Sequence, residues 1–403
     1  SRVVREVHGH EAWRWEPSER ECGVKVLLLG AGFGGLELAS ALSEEFGDEI
    51  DVTLIDRSDG FVFGFSKLDV MFGRTTAEAV RHRYADIVKP GVRFVQATIS
   101  SIDPEARRVT TDAGDFEADV MVVALGAEVD PSATPGMAEG AIEFYTNAGA
   151  FAARDVLKSF EGGHVVVGVA SAPYKCPPAP SETALMVHDM LAERGLSATS
   201  KVSLVMPLPA PIPPSPDASA ALLKAFAERG IDFHPSTMIA SIDPERKVAV
   251  TAKGEEIPFD LFLAVPKHRV PQVVAESGLC VDGWIPVDPY TLETRFAGVY
   301  AVGDVTSVGT PKAGVFTEGQ AVVVGRWIID AVRGRQTEAM YDGTAACYLE
   351  FGEHEVARVD IVFAPGQPPH GSLSGPSEAL VTDKMKFGGL RIRRWFGRDW
   401  RPY

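Results

Sequence analysis

Gly30, Gly32 and Gly35 carry the spacing GxGxxG, and residues of that type at that spacing suit dinucleotide binding. The first glycine permits a tight turn, the second lets the backbone approach a pyrophosphate, and the third lets a helix pack close to the preceding strand. The positive end of that helix then faces the phosphates. Asp56 stands at the distance where a carboxylate accepts hydrogen bonds from ribose hydroxyls. The elements needed to position these residues are present. Val24 to Leu29 is a short apolar run that reads as a strand buried on both faces. Leu36, Leu38, Ala39 and Leu42 follow at helical spacing, and Asp51 to Ile55 reads as the next strand. An ordinary glycine-rich turn would account for the strand and helix but would leave Asp56 without a purpose.

A second constellation lies near the other end of the chain. GVYAVGDV is a strand running into Gly303 and Asp304, and TPKAGVFTEGQ then opens a helix. In FAD-binding proteins an acid at such a place hydrogen-bonds the ribityl chain. The positive helix end would stabilise an anionic reduced flavin, and Lys312 would add charge of the same sign. ADVMVVALGAEVD, Ala118 to Asp130, is a further buried strand ending in a glycine turn at Gly126. Taken alone it fits any parallel strand of an α/β sheet. Together these features predict FAD. The aromatic stretch Phe61 to Arg74 could cover a bound ring system or fill core.

A second strand of the same type, His164 to Val169, should lead into another glycine loop if NADH were bound. Instead the chain reads ASAPYKCPPAPSETALMVHDML. Pro173, Pro177, Pro178 and Pro180 lack N–H groups and fix their own φ, so this loop is a poor pyrophosphate cradle. The next strand, Lys201 to Met206, runs into Pro207 without a terminal acid. The layout is that of a dinucleotide unit with its NAD chemistry gone. Cys176 sits in this loop between Lys175 and Pro177, a setting that favours a redox role over that of a buried structural thiol. The stretch Pro207 to Pro216 reads as a stiff loop.

The chain has 403 residues, 45% hydrophobic and 23% charged, enough for two or three domains. Its net charge of -16 argues against nucleic acid, whose phosphates call for a basic surface. No apolar run approaches membrane-spanning length. Its four cysteines, Cys22, Cys176, Cys280 and Cys347, are too few for a disulfide scaffold, and none lies at zinc-ligand spacing. No metal site is expected; HGHE at His8 to Glu11 reads as adventitious. Cys22 and Cys280 fall in no motif. Residues 1–23 read as a tail or edge strand, and nothing in them resembles a signal peptide. The fold class expected is α/β: two Rossmann-like dinucleotide-binding domains plus a C-terminal α+β segment. Residues 24–130 and 281–340 would form the FAD domain, 131–280 the second unit, and 341–403 the C-terminal part. Lysines and arginines from Lys384 onward alternate with Phe387, Trp395, Phe396 and Trp400. That mixture suits a membrane interface, or equally a terminal hairpin packed on the body.

Three pieces carry a resemblance to a known family: YKCPPAPSE at Tyr174 to Glu182, the cysteine in CYLEFG at Cys347, and AVGD…PKAG at Ala301 to Gly314. With these the chain resembles the sulfide:quinone oxidoreductase and flavocytochrome c sulfide dehydrogenase family over nearly all of Val24 to about Phe363. The resemblance implies that Cys176 and Cys347 meet beside the flavin and that Glu182 lies near it. The site residues expected are thus Cys176, Cys347 and Glu182 for chemistry, and Gly30, Gly32, Gly35, Asp56, Gly126, Gly303, Asp304 and Lys312 for the cofactor. The third catalytic cysteine usual in the membrane quinone reductases is missing after ALGAEVD. The loop RSDGFVFGFSK holds no cysteine, so FAD should be non-covalent. The function implied is electron transfer from sulfide or a persulfide, through a cysteine pair and flavin, to a quinone or small electron carrier. Such a protein is expected to be cytoplasmic, with possible peripheral membrane contact through the tail. Two other readings stay open: a type II NADH:quinone dehydrogenase, which the proline loop disfavours, and an FAD-bearing redox sensor.

Overall fold

The computed structural model describes residues 23–401. HGHE, Cys22 and most of the expected N-terminal tail lie outside the described residues. β1 (Lys25–Leu29) is the centre of the first sheet because it is apolar on both faces. α1 (Phe33–Phe46) starts directly behind Gly32, and β2 (Asp51–Asp56) returns parallel beside β1, with Leu27 opposite Thr53. α2 (Gly64–Met71) covers the end of this unit, and β3 (Val92–Gln96) and β4 (Val120–Val123) extend the sheet.

The aromatic stretch fills core and also reaches a cavity. Phe61 and Phe63 are buried and meet each other edge to face at 4.8 Å. Phe65 forms part of a cavity wall.

The second unit repeats the parallel plan. Its strands are β5 (Ile142–Glu143), β6 (Gly163–Val169), β7 (Ser200–Val205), β8 (Asp232–His234) and β9 (Leu261–Val265). They form one five-stranded sheet in the order β5-β9-β6-β7-β8. α3 (Ala179–Glu193) follows the proline loop, and α4 (Pro216–Arg229) follows the second proline stretch. The chain then returns through β10 (Val299–Ala301), which pairs parallel with β4 and completes the first sheet in the order β10-β4-β1-β2-β3. α5 (Gly314–Val332) packs against α1.

The C-terminal part is an antiparallel sheet of β11 (Thr344–Gly352), β12 (Glu355–Val362) and β13 (His370–Ser377), followed by α6 (Ala379–Phe396). The basic aromatic tail is therefore mostly a helix, not a hairpin. Its alternation of charge and ring follows from helical periodicity. Lys384, Gly388, Ile392, Trp395 and Phe396 are buried along α6, and Trp395 is 0% exposed. The indole Nε1 of Trp395 donates to Glu37 at 2.9 Å. Arg394 pairs with Glu37 and Glu44, and Arg391 pairs with Glu318. The expectation that Trp395 and Phe396 meet a membrane is corrected: acidic groups of α1 and α5 take Arg391 and Arg394, and the core takes the two rings. Among the described residues no helix is long and apolar enough to cross a membrane.

Candidate active site

A cavity of about 1010 Å³ opens where the first sheet, the proline loop, the start of α5 and the C-terminal sheet converge. Gly32, Asp56, Gly126, Gly303, Asp304 and Lys312 line it, and so do Cys176, Glu182 and Cys347. Gly30 and Gly35 stand behind the lining. A Cβ on Gly30, whose φ is +102°, would lie 2.4 Å from the carbonyl oxygen of Ala124, and one on Gly35 would lie 2.0 Å from that of Gly30. These contacts keep α1 hard against β1 so that its N-terminus reaches the cavity.

The cavity residues fit FAD. Asp56 accepts from the backbone N–H groups of Ala31 and Ser58, each at 2.8 Å, which fixes its carboxylate and leaves lone pairs for ribose hydroxyls. Asp304 keeps a buried Oδ1 without a hydrogen-bond partner among the described residues. A buried polar atom left so is costly unless a ligand satisfies it. Burial pushes the Asp304 carboxyl up, against the pull of Lys175 and Lys312. The start of α5, Gly314 to Thr317, lines the opposite side with no side-chain cap at Ala313, so its dipole is open to the cavity. FAD is the protein's cofactor, and these residues would hold it.

Two lysines of the cavity lining are anchored by backbone carbonyls. The Lys312 ammonium donates to the carbonyls of Asp304 (2.6 Å) and Thr306 (3.2 Å) and lies 3.3 Å from the centre of the Trp284 ring. It holds the Gly303-Asp304 turn in place. Lys175 donates to Ala127 at 2.9 Å and ties the proline loop to the end of β4. Lys67, not singled out from the sequence, lies on α2 in the cavity wall and donates to the carbonyl of Tyr145. Burial, then the charge of Lys175, brings the Lys67 ammonium down to about 8.

Cys176 is held in an unusual backbone conformation. Its φ is +47°, a region that costs a non-glycine residue about 1 kcal/mol or more. Its N–H donates to Lys312 at 2.7 Å, and its carbonyl accepts from Ala179 at 2.9 Å, so the loop imposes the conformation. The side chain faces the cavity, yet protein surrounds it closely enough that burial, then Glu182 and Cys347, push its thiol well up, while Lys67 pulls it down. Cys347 reaches the same cavity from β11. Burial, then Glu182, pushes its thiol up to about 12. Glu182, 4% exposed, sits in the first turn of α3 and accepts from the N–H of Glu350 at 2.9 Å. Burial brings its carboxyl up to about 7, opposed by that hydrogen bond and by Lys384. Cys280 does not line the cavity.

The family model for pyridine nucleotide-disulphide oxidoreductases matches residues 24–324. The chain belongs to that family. Within it the chain resembles the sulfide:quinone oxidoreductases. It is 28% identical to the sulfide-quinone reductase of Aquifex aeolicus over 360 residues, 81% of each chain. The X-ray structure of the sulfide:quinone oxidoreductase from Aquifex aeolicus superposes with a TM-score of 0.80 at 22% identity, covering 93% of this chain and 92% of that one; at this identity the likeness speaks for the fold. A type II NADH:quinone oxidoreductase of Staphylococcus saprophyticus is 36% identical, but over 121 residues, 30% of each chain.

For this pyridine nucleotide-disulphide oxidoreductase, sequence reading missed the groups that surround the reactive side chains. Besides Lys67 they include Tyr348 and Phe387, which meet at 5.5 Å and line the cavity with Val359, Ile361 and Phe363. They also include the buried ion pair of Glu350 with Lys384. A signal was present in GFSKLDVM, Gly64 to Met71, where a lysine and an aspartate interrupt an apolar helix. Charges in such a run require partners or a ligand.

Proposed function

We propose that this protein oxidises sulfide or a persulfide at the pair Cys176 and Cys347 and passes the electrons through FAD to a quinone. The observation that carries this is the shared cavity: the dinucleotide cradle and two cysteines from distant parts of the chain line one space. When bound, FAD supplies a two-electron acceptor beside the thiols. The protein's own part begins with the cysteines in their oxidised, disulfide form. Hydrosulfide attacks one sulfur, the S–S bond breaks, and the electron pair leaves with the other sulfur as thiolate. The attacked cysteine then carries a persulfide, so the sulfide sulfur has given up two electrons to the pair. Glu182, with a carboxyl near neutrality, gives a proton to the departing thiolate; a second hydrosulfide then carries the persulfide's outer sulfur away, and Glu182 takes the proton back when the two cysteines are oxidised again. Lys67, whose charge lowers the Cys176 thiol, favours its thiolate.

The apolar end of the cavity, with Val315, Tyr348, Ile361, Phe363 and Phe387, suits a planar, weakly polar acceptor such as a quinone. A membrane source for that quinone would meet the outer face of α6, where Leu390 is 65% exposed beside exposed Lys386 and Arg393. The test is anaerobic addition of sulfide to the purified yellow protein. The visible flavin absorbance should bleach, and a short-chain quinone should restore it. Flavin that stays oxidised under sulfide but bleaches with dithionite removes this reading and favours a redox sensor.

A further inference from the structure

Behind the cavity wall lies a cluster of buried charge that no step above uses. Asp69 on α2, Glu350 on β11 and Lys384 on α6 are 1%, 3% and 2% exposed. Lys384 pairs with Glu350, and its ammonium lies 5.1 Å from the centre of the Phe65 ring. Arg74 reaches in from the surface, 3.0 Å from Glu350 and 3.6 Å from Asp69. The cluster is hydrogen-bonded to the cavity wall where Glu182 accepts from the N–H of Glu350.

Among the described residues, the carboxyls of Glu182, Glu350 and Asp69 meet the cations Lys384 and Arg74 here. Carboxyls gathered in a dry interior resist ionising together, so the cluster favours a proton on one of them. Glu350 is not its seat: burial works to raise this carboxyl, but Lys384 and Arg74 hold it below its ordinary value. The proton falls to Asp69 or Glu182, both raised chiefly by burial. Of the two, only Glu182 lines the cavity.

We infer that Glu350, Asp69, Arg74 and Lys384 are positioning residues that set the proton affinity of Glu182, and that the C-terminal helix completes the site by supplying Lys384. This rests on the reading of Glu182 as proton acceptor for the cysteine pair. In that role Glu182 first gives its resting proton to the thiolate that leaves the disulfide; later the thiol S–H bond breaks, the O–H bond re-forms on Glu182, and the cluster regains its resting charge. A thiolate beside neutral Glu182 also escapes the repulsion it would meet beside the ionised form. The charged and titratable groups facing Glu182 are Cys176 of the proline loop, Cys347 and Glu350 of β11, Asp69 of α2, Lys384 of α6, and Tyr145. The Asp189–Arg229 pair sits at the far end of α3, with 3.8 Å between its charged atoms.

The test follows the infrared carbonyl stretch of the buried protonated carboxyl in the FAD-loaded protein across the neutral pH range. E182Q should remove the band and so assign it. K384M, which takes away a cation, should raise the midpoint of the band by about one pH unit; E350Q, which takes away an anion, should lower it by about as much. Opposite shifts are the mark of charge, since simple loosening would admit water and move both midpoints down toward the ordinary carboxyl value. Midpoints that stay put, or that move in the same direction, overturn the inference. If K384M does not fold, E350Q against a charge-keeping K384R decides: the first should shift down and the second should hold, and any other pattern counts against it. A wild-type flavin that sulfide fails to bleach would defeat the sulfide reading, while the band midpoints would still decide whether these residues tune Glu182.

Discussion

The two parallel units of this molecule start from the same plan, a buried strand running into a loop and a helix, and they end at opposite chemistries. After β1 the loop is glycine, and the first turn of α1 contains no acid. After β6 the loop is proline and cysteine, and the first turn of α3 contains Glu182. At the start of α1 a phosphate meets open N–H groups at a positive helix end. At the start of α3 it would meet Pro180, which has no N–H, the Ala179 N–H already given to the Cys176 carbonyl, and a buried carboxyl. Under the proposed function, the same local fold serves as an anion cradle in one unit and as a site for proton and sulfur chemistry in the other. What differs is a handful of side chains at the strand-to-helix turn.

The sharpest way to break this comparison is to remove the sulfur from the second unit. C176S and C347S should each lower sulfide-dependent bleaching by orders of magnitude, because a single thiol cannot form the disulfide that hydrosulfide attacks. The flavin spectrum should survive in both, since the first unit holds the cofactor. Loss of colour in C176S would mean that the two units are not separable in this way. Stopped-flow absorbance under anaerobic conditions measures both outcomes.

A smaller effect should separate the two helix starts through pH. Burial raises the Glu182 carboxyl from 4.5 to about 7. Between those values the folded protein keeps a proton that the unfolded chain has released. Wild-type stability therefore falls as pH rises through that window, by up to about 3 kcal/mol. Glutamine never ionises and can still accept from the Glu350 N–H. E182Q should accordingly be more stable than wild type above pH 7 by as much as that amount, and about equal to it below pH 4. Denaturant melts at the two extremes read this directly. Equal stability at both would place Glu182 in a wetter, less strained setting.

Much of this was open to reading because it rests on short-range patterns. Gly30, Gly35 and Asp56 are fixed by the turn they make, and the turn is local. The two parallel sheets follow from apolar runs bounded by turn residues. The proline loop announced that the second unit had changed purpose. The convergence of Cys176 with Cys347 entered through a family resemblance, since no spacing rule connects residues so far apart in the chain. The rest was hidden because it depends on which distant elements meet. Lys384 and Trp395 looked like membrane anchors because basic and aromatic residues alternate in a helix of either kind. Only their acidic neighbours, Glu350 and Glu37, decide the matter, and those come from other parts of the chain. Lys312 looked like a flavin contact by its place in the motif. It does line the cavity, but two backbone carbonyls and the Trp284 ring hold its ammonium, contacts that no local pattern names.

The smallest effect expected is none at all, and it bears on the comparison most directly. NADH added anaerobically should leave the flavin oxidised over times in which sulfide bleaches it. To reduce the flavin, NADH must lay its pyrophosphate at the start of α3 and its adenosine ribose past the end of β7. The first place offers no glycine approach, and the second leads into Pro207 with no carboxylate for ribose hydroxyls. Leu208, Ile212, Pro213 and Pro214 of that second proline stretch line the cavity itself. Replacing Pro177 and Pro178 by glycine would restore two N–H groups but not the missing acid, and Glu182 would still face the phosphates. That variant, too, should stay unresponsive. Bleaching of the wild-type flavin by micromolar NADH would mean that the proline loop moves aside, and the protein would have to be read as a dehydrogenase whose second unit never lost its nucleotide.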